Sequence, residues 1–195
     1  MTKHSVASKR TKEKIINAAR SLFKIKGYSD TTITDIINEG GISRGNLYYH
    51  FDNKEALFLH VMEEDARIWL EEWHSYCQQF KNPKDRLYGL AEFYADTAIS
   101  YPISRVQKEF LSSILTVKTS AKKLEAINLQ YLKVCENIFQ EAQNKGYWEK
   151  YDISFLTLLL SSILNGIEEE ANNIPKDKLK EIFTKGIDIF LNGID

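Results

Sequence analysis

The stretch Gly41-Ile-Ser-Arg-Gly-Asn-Leu-Tyr-Tyr-His-Phe51 decides the fold of this chain. Ser43 has the residue type that caps helix N-termini, because its hydroxyl can accept a free backbone N–H of the first turn. Helical spacing from this cap buries Leu47 and one ring of the Tyr48-Tyr49 pair. The stretch therefore predicts a short helix that begins just after Ser43.

A second short helix is predicted directly upstream. Thr31 or Thr32 can cap it, and Asp35 lies near the third position, as in a capping box. Gly40-Gly41 ends this helix, because glycine readily adopts the left-handed conformation found after helix C-termini. Two short helices joined by a tight glycine turn predict a helix-turn-helix, whose second helix enters the major groove of DNA.

The front of the second helix offers the chemistry that DNA recognition needs. Free backbone N–H groups and the helix dipole favour phosphate there, and Arg44 and Asn46 can donate hydrogen bonds to base edges. Gly45 allows close backbone approach, while phenol and imidazole groups can contact phosphate or thymine methyl groups. The predicted DNA contacts are Thr32, Ser43, Arg44, Gly45, Asn46, Tyr48, Tyr49, His50 and Lys54. Leu47 and Phe51 are predicted core residues.

The rest of the chain also has helical periodicity. A first helix carries apolar residues from Ile15 to Phe23 and stops at Gly27, and Asp52-Asn-Lys-Glu55 has the form of a capping box that opens a long fourth helix. Five more helices are predicted. The first has Asn82 as its N-cap and runs from Pro83 to before Pro102, and the others lie at about 103–115, 121–144, 153–171 and 175–191. The chain is therefore predicted to be all-α with about nine helices: a three-helix DNA-binding domain at 1–53 and a helical effector-binding and dimerisation domain at 54–195.

Charge and composition support DNA binding and argue against other classes. Residues 1–54 hold 10 Lys and Arg against 5 Asp and Glu, whereas the whole chain has a net charge of -1. A basic front suits a polyanion partner. The longest apolar run is too short to cross a bilayer, so we expect a cytoplasmic protein with no membrane partner. Metal-ligand spacings and enzyme motifs are lacking, so we expect no catalytic residue, cofactor or metal.

These motifs resemble a known family. Residues 10–60, which include Thr31-Thr-Ile-Thr-Asp-Ile-Ile37 and the stretch quoted above, strongly resemble the DNA-binding domain of TetR-type regulators. The resemblance implies a repressor that binds a pseudopalindromic double-stranded DNA operator as a homodimer and leaves it when a small molecule binds the helical body. An alternative is a helical ligand-binding or dimerising protein whose helix-turn-helix no longer recognises a specific DNA sequence.

The body suggests where the dimer and the effector site lie. Surplus apolar residues at about 153–171 and 175–191 favour a four-helix dimer interface made from two copies. The body also resembles QacR-type multidrug-binding repressors, although only one acidic pocket position persists, so the expected effector is hydrophobic and either cationic or neutral. The predicted effector contacts are Asp65, Trp69, Trp73, Tyr101, Tyr131 and Cys135. An equally simple interpretation of this aromatic stripe is plain core.

Overall fold

The computed structural model describes residues 3–98, 103–113 and 118–194. Every regular element in these ranges is a helix, which confirms the all-α prediction. The helices are α1 Lys3–Lys26, α2 Ile33–Gly40, α3 Arg44–His50, α4 Lys54–Cys77, α5 Pro83–Ala98, α6 Ile103–Ser113, α7 Lys118–Gln143, α8 Ile153–Glu170 and α9 Lys176–Ile194, with a 3₁₀ turn at Ala171–Asn173. In the described part of the chain, none of them is long and apolar enough to cross a lipid bilayer.

Polar side chains set several helix starts. Asn82 caps α5 as its sequence position predicts, since its Oδ1 accepts the Asp85 N–H at 2.8 Å. The start of α4 differs from the prediction by one residue. Asn53, rather than Asp52, caps α4, because its Oδ1 accepts the Ala56 N–H at 2.7 Å. The helix begins at Lys54, so the residue immediately before it is the one whose side chain reaches the first turn.

The described residues form two contact units. One contains residues 3–65, 105–113 and 118–125; the other contains residues 66–98, 103–104 and 126–194. Helix α4 therefore contributes its first half to one unit and its second half to the other. The units follow packing rather than chain order, and the predicted domain division after residue 53 stays a prediction.

The first unit is built around four aromatic rings. Phe23, Tyr28, Phe58 and Phe110 come from α1, the turn after it, α4 and α6, and all four are buried. Phe58 is central to the cluster, with ring centroids 5.2 Å from Phe23, 4.9 Å from Tyr28 and 4.5 Å from Phe110. Offset and edge-to-face pairs at these distances add about 0.5–1.5 kcal/mol each beyond their buried area. The cluster fixes where α1 ends.

The turn between α1 and α2 is stabilised by hydrogen bonds to both backbone groups of one residue, Tyr28. Gly27 ends α1 with φ +83°, a conformation that residues with a Cβ rarely adopt. The next residue, Tyr28, donates its backbone N–H to the Glu109 carboxylate of α6 at 2.8 Å. Its carbonyl accepts from Lys54 Nζ at 2.9 Å. Lys54 also donates to the carbonyls of Thr31 at 2.9 Å and Ser29 at 3.4 Å, and its Nζ lies 4.2 Å from the centroid of the Tyr28 ring.

The second unit has a separate apolar core. Helix α5 packs against α8 and α9, and α8 packs against α9. The second half of α4 contributes Trp69 and Trp73, and α7 contributes Ile138 and Phe139. Phe183 of α9 is fully buried among them. This core leaves a different set of apolar side chains of α8 and α9 exposed, among them Leu158 and Ile189.

We predict that Lys54→Met lowers the free energy of unfolding by about 1–3 kcal/mol, because three backbone carbonyls lose a charged donor. Chemical denaturation monitored by circular dichroism measures the change. Lys14→Met is the matched control, since Lys14 is exposed and its substitution should change stability by no more than about 0.5 kcal/mol. Equal stability of the two variants would contradict the structural role of Lys54.

Candidate nucleic-acid interface and effector residues

Helix α2 is fixed at its start by a complete capping box. Thr32 Oγ1 accepts the Asp35 N–H at 3.1 Å, and the Asp35 carboxylate accepts the Thr32 N–H at 3.0 Å. This backbone hydrogen bond from Thr32 lowers the pKa of Asp35, with a smaller contribution from the nearby charge of Lys26. Thr32, a predicted DNA contact, remains exposed while it caps the helix. Its hydroxyl hydrogen can still be donated to a phosphate.

The turn that follows requires glycine. Gly41 has φ +57° and ψ +40°, and its N–H closes the end of α2 on the carbonyls of Ile37 and Asn38. Ser43 then caps α3 as predicted, because its hydroxyl accepts the Asn46 N–H at 3.2 Å. The chain therefore reverses within three residues between two capped helices, which is the geometry of a helix-turn-helix.

Helix α3 divides its residues between core and surface. Leu47 is fully buried, so the prediction that it belongs to the core is confirmed. The neighbouring rings are outside the core, with Tyr48 46% and Tyr49 78% exposed. The predicted burial of one of these rings is therefore wrong, because Leu47 alone fills the space under this short helix. The other predicted contacts of this helix and its cap, Ser43, Arg44, Gly45 and Asn46, are also exposed.

The last predicted contacts are placed differently. His50 is half-buried at the end of α3, with its ring centroid 5.0 Å from that of Tyr49. Phe51, the predicted core residue after it, is buried and contacts the ring of His60. Lys54 directs its ammonium group to the turn after α1, and burial lowers its pKa. Its three donors thus have partners inside the protein, and its predicted phosphate contact stays a prediction.

The predicted effector residues of the second unit form part of an aromatic cluster. Trp69 is 3% exposed, and its Nε1 donates to the Thr97 hydroxyl at 3.2 Å. Its ring centroid lies 5.0 Å from that of Tyr131 and 5.5 Å from that of Tyr94. Sequence reasoning missed Tyr94 and Thr97, which sit one helical turn apart around α5 with no motif to distinguish them from core residues.

Other members of this set are Trp73 and Cys135. Trp73 is buried beside Phe93, with centroids 5.6 Å apart. Cys135 is a free, buried thiol, and burial raises its pKa to about 12, so it stays protonated. Burial is the main cause of the raised pKa of Tyr94, and the nearby Glu168 carboxylate raises it further. Tyr101 lies outside the described residues.

Asp65 occupies the end of the first unit rather than this cluster. Its buried carboxylate accepts from Arg20 Nε at 2.6 Å, and the same guanidinium pairs with Glu64 at 2.8 Å. Burial raises the pKa of Asp65 more than Arg20 lowers it. Burial by itself lowers the pKa of Arg20, but the two carboxylates raise it overall. The predicted effector role of Asp65 stays a prediction, and any cationic ligand there would compete with Arg20.

Comparison with known proteins identifies this arrangement. Residues 15–61 match the model of bacterial regulatory proteins of the tetR family, and residues 65–195 match that of the QacR-like protein C-terminal region. The transcriptional regulator QacR of Staphylococcus aureus is 30% identical over 94% of this chain and 97% of its own length. The negative regulator of the icaADBC biofilm operon, IcaR, from the same species is 27% identical over 92% of this chain and 98% of its own.

Solved structures agree on the fold. The regulator FadR from Bacillus subtilis, determined in complex with stearoyl-CoA, matches with a TM-score of 0.81 at 19% identity, covering 94% of this chain and 99% of that one. The family-model matches span both halves of the sequence, which confirms the resemblance drawn from the α2–α3 motif. This chain belongs to the TetR family of bacterial transcriptional regulators, with a QacR-like C-terminal region.

Proposed function

We propose that this chain is a repressor that binds a pseudopalindromic DNA operator as a homodimer and is released when a hydrophobic small molecule binds its body. The observation that carries this proposal is α3: a short capped helix with Leu47 in the core and with Arg44, Asn46, Tyr48 and Tyr49 exposed. The negative regulator IcaR, similar over most of the chain, supports repression rather than activation.

Base reading is assigned to the front of α3. Arg44 can form a bidentate pair with guanine and Asn46 with adenine, which are the common pairings of these side chains in the major groove. Tyr48, Tyr49 and His50 contact phosphates or thymine methyl groups, and Thr32, Ser43 and Gly45 contact the backbone through hydroxyl and N–H groups. Lys54 acts mainly on the turn after α1, although a phosphate contact by Lys54 would still be compatible with the proposal.

The dimer is assigned to α8 and α9, through about 153–171 and 175–191. Leu158 is 65% and Ile189 74% exposed in the single chain. Phe155 and Leu159 on α8 and Ile182 on α9 are also exposed. Each exposed leucine or isoleucine that becomes buried contributes about 1.5–3 kcal/mol, so a two-fold pairing of these helices has a sufficient driving force. A dimer also suits an operator with two half-sites one helical turn or a multiple apart.

The effector is assigned to the aromatic cluster around Trp69. Ligand sites in proteins are lined by aromatic side chains with a few polar groups, and here Trp69, Tyr94 and Tyr131 come together with the Thr97 hydroxyl and the Cys135 thiol. Aromatic faces favour a lipophilic cation over a neutral ligand of the same size. Trp73 is a further residue of this proposed site, and the effector roles of Asp65 and Tyr101 stay predictions from the sequence.

The first test is sequence-specific binding. We expect the protein to bind a pseudopalindromic duplex recovered by selection from random DNA far more tightly than a scrambled duplex, measured by fluorescence anisotropy at several salt concentrations. Asn46→Ala should narrow the gap between the two duplexes by about 1–3 kcal/mol, because alanine cannot hydrogen-bond to a base edge. Asn137→Ala, exposed on α7, is the control. An equal loss of affinity for both duplexes would show that Asn46 does not contact a base.

The second test concerns the dimer. Leu158→Glu should give a monomer in analytical ultracentrifugation and reduce operator affinity by at least about 100-fold, since the two half-sites are then bound independently. Leu129→Glu is the matched control, because Leu129 is 56% exposed on α7, outside the proposed interface. A dimer that survives Leu158→Glu would place the interface elsewhere.

The third test concerns the effector. Tetraphenylphosphonium should release the protein from its operator and change its tryptophan fluorescence, whereas the neutral triphenylmethanol should act more weakly. Trp69→Leu removes one aromatic face and should weaken binding of the cation by about 0.5–2 kcal/mol. Trp148→Leu, another buried tryptophan of the second unit, controls for general loosening of the core. Unchanged affinity in Trp69→Leu would show that the site lies elsewhere.

A further inference from the structure

Residues 6–14 of α1 have no core of their own. From Val6 onwards, Ile15 is the first fully buried residue of this helix, and Ile16, Ala18 and Ala19 are buried after it. Residues 6–14, here called the basic segment, are also helical, but each of them is exposed or half-exposed. Helices shorter than about 12–15 residues are only marginally stable in water without a packing partner. The basic segment therefore extends from a packed helix into solvent.

The segment carries an excess of positive charge. It contains one acidic residue, Glu13, and four basic residues, Lys9, Arg10, Lys12 and Lys14. The carboxylates that pair with α1 lie near its other end, where Arg20 pairs with Glu64 and Asp65, and Lys26 with Asp35. Within the described residues, Lys9, Arg10 and Lys14 have no ion-pair partner. Their charges are available to an external polyanion.

The basic segment begins beside the helix-turn-helix formed by α2 and α3. The Lys12 ammonium lies 5.7 Å from the centroid of the Phe51 ring, and Phe51 is the residue that ends α3. The carbonyl oxygen of Lys14 lies 3.6 Å from the position that a Cβ on Gly40 would occupy, directly before the turn into α3. The point where α1 becomes unpacked thus lies next to both the turn before α3 and the residue after it.

We propose that the basic segment binds the DNA backbone flanking each half-site, through Arg10 and Lys14 with Lys9 in support; this rests on the proposed function. Arg10 and Lys14 are one helical turn apart and share a face of α1. Nine helical residues span roughly 13 Å, about the width of the major groove that α3 enters. The segment is long enough to reach phosphates on the edge of that groove. It lies ahead of residues 15–61, the part matched by the family's DNA-binding model.

The salt dependence of binding tests this directly. For Arg10→Gln/Lys14→Gln, we expect the slope of log affinity against log salt to become shallower by about 0.9 for each phosphate that the variant no longer neutralises, or roughly 3–4 for a dimer. Wild-type protein should also bind more weakly when the selected duplex is trimmed from about 12 flanking base pairs to about 3, and the double variant should not. Glutamine is a good helix former, so circular dichroism should be unchanged.

The control is Lys122→Gln/Lys123→Gln, which removes the same charge from exposed or half-exposed positions on α7. It should keep the wild-type slope and the wild-type dependence on flank length. If the Arg10→Gln/Lys14→Gln variant keeps them too, flanking DNA is not the partner of the segment. Loss of binding to phosphatidylglycerol vesicles in that variant, with DNA binding unchanged, would assign the segment to a membrane surface. Failure of the wild type to prefer the selected duplex over a scrambled one would instead overturn the proposed function itself.

Discussion

The position of α3 depends on how one residue after α1, Tyr28, is held. Glu109 accepts the N–H of Tyr28 and Lys54 donates to its carbonyl, so two opposite charges from different helices hold the same residue. The turn that follows places Thr32 at the start of α2, and the cap at Thr32 sets the direction of that helix. Helices α2 and α3 then pack against α1 and against each other, so this turn and that packing together orient the residues from Thr32 to Phe51. The surrounding aromatic rings exclude water and strengthen both charge-assisted hydrogen bonds.

Local sequence rules predicted the elements that are stabilised locally. The caps at Ser43 and Asn82, the end of α1 at Gly27 and the buried position of Leu47 all depend on residues within one turn of each other. Such patterns depend on interactions within a short segment, so they can be recognised in the sequence without knowing the fold. The one-residue error at Asn53 has the same origin, because Asp52 and Asn53 are both good caps and only the helix start distinguishes them.

Long-range pairing was beyond the reach of those rules. Lys54 lies on an exposed helix start in the sequence, yet its donors find carbonyls 23 to 26 residues upstream. Asp65 was predicted to share a ligand site with Trp69 because the two are one turn apart. Its partner is instead Arg20, 45 residues away. Spacing along one helix identifies which residues share a face, but not which neighbour that face will contact.

The approach of Glu109 to Gly27 also constrains how this protein can vary. A Cβ at position 27 would collide with the Glu109 carboxylate, in addition to the strain of φ +83°. A side chain at 27 would push the flexible Glu109 carboxylate aside, and the Tyr28 N–H would then lose its acceptor. Positions 27 and 109 are therefore physically coupled, although 81 residues separate Tyr28 from Glu109. A substitution at Gly27 would therefore also disturb the contact that holds α6 against the turn before α2.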